Sequence, residues 1–243
     1  MSAVFLSAEW RHLVMLNYPV ERTLLQPFLP PGVELDDFAG TTYVSVVGFL
    51  FLRTRVFGIG FPFHRNFQEV NLRFYVRHRA AEGRRRGVVF VREIVPRRAI
   101  AFLARSFYGE PYSAFPMSHA VEREGDALSC RYAWRRKGRE EFVSAEGRGA
   151  PDLVAPNSLE EFITEHYWGY NAHRGRCTQY QVEHPPWRVW RATAAAFQAD
   201  VASLYGPDFV APLSAPPASA FIAEGSPVVV RRGSPLEAPA PLD

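Results

Sequence analysis

The stretch from Glu69 to Arg77 constrains the fold more than any other part of the chain. Val70, Leu72, Phe74 and Val76 fall on one side of it; Glu69, Asn71, Arg73, Tyr75 and Arg77 fall on the other. Strict alternation of period two is the signature of a β-strand. Its register is fixed, because a slip of one residue would expose the whole apolar row. The polar row has two readings. It either faces water, or it lines an interior pocket. An acid, an amide and a guanidinium spaced two residues apart suit a carboxylate- or carbonyl-bearing ligand.

The rest of the chain reads mostly as strands. Trp10 to Asn17, Thr41 to Phe51, Gly87 to Val95, Ser118 to Glu124, Ala127 to Arg135, Glu140 to Glu146, Arg176 to Glu183 and Ala218 to Arg231 have strand character. Val44 to Leu52 is almost wholly apolar, as in a strand buried on both faces. Helices are expected over Val20 to Leu29 and Arg97 to Phe107. A third runs from Ser158, which opens a capping box with Glu161, to about Tyr170. Ala192 to Leu204 reads as a short helix or an irregular crossover. The fold class is therefore α+β and mostly antiparallel β. One domain is expected over residues 1–232, followed by a Pro/Ala-rich tail, 233–243, that is expected to fray.

Several function classes drop out. The net charge is +3 with acids and bases intermixed, so no basic stripe suggests a nucleic-acid partner. Seven histidines and two cysteines make no metal-ligand spacing, and no metal or cofactor is expected. No phosphate loop, dinucleotide fingerprint or nucleophile elbow is present. Met1 to Trp10 lacks a basic region followed by an apolar one, and no run approaches the roughly 20 apolar residues of a membrane helix. A cytoplasmic protein with no membrane partner is expected. The chain has a single lysine, Lys137, at an expected hairpin tip. Amine chemistry on a side chain has that one candidate.

Gly109 to Ser118 holds a glycine and two prolines, which stop a helix and pin the backbone. Glu110, Tyr112, Ser113 and Ser118 within it could bind a ligand or do chemistry. It is otherwise an ordinary connector from helix to strand.

Trp10-Arg11-His12 leading to Tyr18-Pro19-Val20, then Leu29-Pro-Pro-Gly-Val-Glu-Leu-Asp36, resembles the opening of the DUF2071 (YqjF-like) family. Asn71-Leu-Arg-Phe-Tyr75-Val76, Gly109-Glu-Pro-Tyr112, Ser158-Leu-Glu-Glu-Phe162, Glu165-His-Tyr167 and His184-Pro-Pro-Trp187 extend the resemblance from about Trp10 to Val230. The family carries no assigned function. The resemblance implies a fold like acetoacetate decarboxylase: an antiparallel β-barrel or cone with a few flanking helices and an interior pocket. Ser113-Ala-Phe-Pro116 is similar to a decarboxylase segment that continues with two lysines, the first of which forms a Schiff base. Met117 and Ser118 stand there in this chain, and neither side chain can form an imine. By the same comparison Arg11 and Glu69 fall at pocket positions, whereas Ser45 stands where the decarboxylases have a second pocket glutamate.

Three hypotheses follow. The first is a barrel that binds a small anionic or carbonyl-bearing ligand through Arg11, Asn71 and Arg73. Tyr75, Tyr112 and Ser113 would add hydrogen bonds, and Met117 an apolar wall. The second is an enzyme in which Glu69 or Glu110, made more basic by burial, serves as general base in lyase, hydratase or aldol-type chemistry. The third is a structural or interaction protein with a filled barrel. A homo-oligomer is left open.

Overall fold

The computed structural model describes residues 2–97, 111–173 and 175–236. Its strands are β1 (Val4–Val20), β2 (Glu34–Leu35), β3 (Thr42–Val56), β4 (Phe67–Ala80), β5 (Gly83–Val95), β6 (Tyr112–Ala114), β7 (Met117–Glu124) and β8 (Ala127–Arg136). They continue as β9 (Arg139–Arg148), β10 (Asp152–Leu153), β11 (Trp168–His173), β12 (Arg176–Glu183), β13 (Arg188–Gln198), β14 (Ser219–Arg231) and β15 (Ser234–Pro235). Helices are short: α1 (Arg22–Leu25), α2 (Leu159–Thr164), α3 (Val201–Tyr205) and α4 (Val210–Ser214). Pairing is antiparallel except where β5 meets β6 and β11. The hydrogen-bonded path runs β12-β11-β5-β4-β3-β1-β14, and Val182 of β12 pairs with Val230 of β14. The path thus returns to its start. Beyond β14 the sheet continues through β13, β9, β8 and β7.

Alternation along β4 divides the interior in two. Val70, Leu72, Phe74 and Val76 are fully buried in a core with Tyr132, Trp134, Leu204 and Phe209. Burying those four side chains contributes on the order of 6–12 kcal/mol before conformational entropy is charged. Glu69 and Asn71, on the opposite face, are equally shielded at 3% and 2% exposure, so this part of the polar row does not face bulk water.

Bulges decide which residues share that second face. The β1–β3 register shifts between Arg11 and Val14, with His12 in the left-handed region at φ 53°. Trp10 and Leu13 therefore point the same way although three residues apart. On β5, Arg92 pairs with Leu72 but Phe90 with Arg73, leaving Val91 as the extra residue. Glu93 and Phe90 consequently face one cavity. Opposite Arg11, Gly225 has φ +78°, and a Cβ there would collide with the Trp10 carbonyl. Only glycine fits.

Two helix expectations need correction. The helix from Ser158 starts as expected, its hydroxyl accepting from the Glu161 amide at 3.2 Å, but stops at Thr164 rather than near Tyr170. Trp168 to His173 instead find backbone partners on β12 and, at Trp168 and Gly169, on β5. Strand pairing on both sides outweighs a weak helical preference. Ala192 to Gln198 likewise belong to β13, paired with β9, and the helix is confined to Val201–Tyr205 behind an Asp200 cap. From residue 98 on, the expected Arg97 to Phe107 helix lies outside the described residues. Among the described residues no helix is long and apolar enough to cross a membrane.

Candidate functional site

The face opposite the β4 core encloses a cavity of about 300 Å³. Glu69, Asn71 and Arg73 project into it from β4, Glu93 from β5 and Tyr112 from β6. The segments after α2 and β12 bring His166 and His184, and α2 itself brings Thr164. Asn71, Glu93 and Tyr112 form one row across three strands, since Asn71 pairs with Glu93 and Glu93 with Tyr112. Glu69 accepts at one carboxylate oxygen from Tyr112 Oη and at the other from Asn71 Nδ2, both at 3.0 Å.

Arg73 is held differently. Its Nη2 donates to the Ile163 carbonyl at 3.1 Å, and its guanidinium carbon lies 5.6 Å from the centre of the Tyr75 ring. Its buried Nε has no hydrogen-bond partner among the described residues, and neither does Asn71 Oδ1. No carboxylate among them forms a salt bridge with it. Arg73 is a cation presented to a cavity wall.

Two histidines flank this end. His166 Nε2 lies 3.6 Å from Asp36 Oδ2. Burial dominates and drops its pKa to about 4, although Asp36 favours the charged form, so the ring is neutral at pH 7. Burial would raise the Asp36 carboxyl, but His166 and Arg86, the latter at 2.8 Å, hold it well below the usual carboxylate range. His184 stacks on Trp187 and meets a tilted Tyr167 ring, with ring centres 4.2 and 4.8 Å away. Its Nδ1 donates to the Pro185 carbonyl at 2.9 Å, since a carbonyl can only accept. Burial lowers its pKa, against the Pro185 bond. The neutral ring therefore carries its lone pair on Nε2.

Of the residues singled out from the sequence, Glu69, Asn71, Arg73 and Tyr112 are brought together in the cavity. Tyr75 packs beyond Arg73 as a plug, edge-on to Phe162 and bonded to Ser45, which also bonds Asn17. Arg11 does not line the cavity; the His12 bulge turns it toward Glu9 and the Gly225 carbonyl. Ser113 accepts from Arg92 at 2.9 Å. Met117 stands opposite Trp134 and packs on the first core, away from the cavity. Glu110 lies outside the described residues. Lys137 sits at the β8–β9 turn, bonded to Ser203. Glu93, Thr164, His166 and His184 were not singled out as site residues. Glu93 was hidden by the Val91 bulge and His184 by a proline turn that reads as a loop. Among the described residues no group of three or more His, Cys, Asp or Glu could hold a metal ion.

Similarity to solved structures agrees with this architecture. An acetoacetate decarboxylase from Legionella pneumophila superposes with a TM-score of 0.65 at 14% identity, over 97% of this chain and 88% of that one. The enduracididine biosynthesis enzyme MppR complexed with pyruvate gives 0.68 at 14% identity, over 98% and 92%. An acetoacetate decarboxylase-like enzyme from Sphingomonas wittichii RW1 gives 0.64 at 12%, over 98% and 94%. At these identities the likeness is one of fold. In sequence, the uncharacterized protein YqjF of Bacillus subtilis (strain 168) is 28% identical over 190 residues, 76% of this chain and 75% of that protein. The family model for DUF2071, an uncharacterized conserved protein, matches residues 7–227, which include all of the lining residues but Phe5, Leu6 and Val230. The chain with the Glu69–Asn71–Arg73 row is thus a member of the DUF2071 family.

Proposed function

We propose that this protein is a small-molecule-binding β-barrel of the acetoacetate decarboxylase-like type, one domain over residues 1–232, that holds a carboxylate- or carbonyl-bearing ligand. The closed circuit of strands and the open cavity support this over a filled barrel. The observation that carries it is Arg73, a guanidinium at the cavity wall whose only hydrogen bond among the described residues is to a backbone carbonyl. A ligand carboxylate would complete it with charge-assisted bonds. The chain's only lysine is bonded to Ser203 at a hairpin tip, which weighs against a Schiff base on a lysine and against decarboxylation by that route. MppR, complexed with pyruvate, makes short keto acids the natural first probes.

A thermal-shift screen of carboxylates and keto acids tests the reading. A ligand at 100 times its Kd adds about 2.7 kcal/mol, or roughly 5–11 °C at this chain length. The shift is expected to vanish in Arg73→Ala. A panel in which neutral analogues shift the protein as much as the acids would contradict it.

A second reading is favoured by His184, whose Nδ1 is tied to Pro185 so that Nε2 can accept a proton. With Tyr112 and Glu69 hydrogen-bonded to each other in the wall of the same cavity, an enzyme using general acid/base chemistry on a carbonyl or carboxylate substrate is supported. Turnover of a bound acid by the parent, lost in both His184→Asn and Glu69→Gln, distinguishes enzyme from binder.

A further inference from the structure

We infer that the ligand is an organic acid with an extended apolar tail, its carboxylate on Arg73 and its tail directed toward the loop between β3 and β4. The inference rests on the anion reading above and adds the class of acid. The lining changes character along the strands. Along β4 the cavity-facing row runs from Arg73 through Asn71 and Glu69 to Phe67, which opens the strand six residues or about 20 Å from Arg73. At that far end Phe51 stacks on Phe67 with ring centres 4.6 Å apart. Trp10 meets Phe49 and Phe51 edge-on at 5.4 and 5.7 Å. A ligand the size of pyruvate held at Arg73 would leave this aromatic end without contacts, whereas an extended apolar tail would reach toward it.

The loop beyond the aromatic end points the same way. Phe61 lines the cavity and is also 48% exposed, and Phe57, Ile59 and Phe63 beside it are 52%, 59% and 81% exposed. Four large apolar side chains kept in water beside a cavity mouth are costly unless something apolar passes them. A tailed acid, inserted head first, leaves its tail against Phe51, Phe67 and Phe61.

Isothermal titration of the full chain with straight-chain acids from four to ten carbons, each beside its primary amide, tests this. Affinity is expected to rise about fourfold per added methylene until the tail fills the cavity. Phe61→Ser is expected to weaken the ten-carbon acid more than the four-carbon acid. Equal affinity for short and long acids, with the amides still discriminated against, would overturn the tail and leave the anion reading standing. Acids and amides bound alike at every length would overturn the anion reading instead, and no binding at any length would overturn both.

Discussion

Tyr112 donates its phenolic hydrogen to Glu69 Oε2 across 3.0 Å, reaching from β6 over the intervening β5 to β4. A carboxylate that is 3% exposed is thereby held by side chains from two strands, Tyr112 and Asn71. Tyr112→Phe removes one of those donors without changing the ring. A hydrogen bond to a charged group contributes about 1.5–3 kcal/mol. Urea denaturation should show a loss in that range. Unchanged stability would mean that the bond is not made in solution.

His166 sets part of the acid sensitivity. Its folded pKa is lowered from 6.5 to about 4, chiefly by burial; Asp36 opposes the shift, and Arg86 and Arg73 add to it. Between those values the unfolded chain takes up a proton that the folded one refuses, so stability falls as pH drops from 6.5 toward 4. The loss amounts to about 3 kcal/mol, and it is absent above pH 6.5. His166→Gln should flatten denaturation midpoints over that window by roughly one proton's worth. An unaltered slope would place the titration elsewhere.

Glu141, on β9, ties β8 to the cap of α3. It is 4% exposed and accepts from Trp134 Nε1, from Arg136 and from the Asp200 amide. Glu141→Ala leaves the buried Trp134 indole N–H without its acceptor, while Arg136 keeps Asp200 and Ser203, at a cost of about 1–3 kcal/mol. Glu141→Gln keeps acceptor capacity and should lose less. Equal losses in calorimetric unfolding would contradict the acceptor account.

Gly225→Ala combines φ +78° with a collision against the Trp10 carbonyl. Strain of this kind costs about 1–3 kcal/mol before the collision is counted. A melting temperature unchanged in the variant would mean that Gly225 does not approach the Trp10 carbonyl as described.

What the sequence disclosed and what it hid follow from one property of strands. A period-two pattern reports which side chains share a face only while the ladder is regular. Along β4 the pattern holds from Glu69 to Val76, and Glu69, Asn71 and Arg73 of the row it marks lie in the cavity wall. Wherever a bulge intervenes, parity inverts: His12 turns Arg11 away, and Val91 brings Glu93 in. Neither bulge is marked by a glycine, so composition gave no warning. Tyr75 has the right parity but becomes a plug because α2 sets Phe162 against it, a long-range contact that no local pattern encodes. The stretch after Thr164 had helical spacing, yet pairing with β12 decided its conformation.

The most direct test of the central claim is the affinity of a carboxylic acid relative to its neutral primary amide, measured by isothermal titration in the parent and in Arg73→Met. If Arg73 receives the carboxylate, the parent should favour the acid by about 10–100-fold, the equivalent of a charge-assisted hydrogen bond of 1.5–3 kcal/mol. The preference should disappear in the variant while the protein remains folded. A preference that survives in Arg73→Met, or a parent that binds acid and amide equally, would contradict the account.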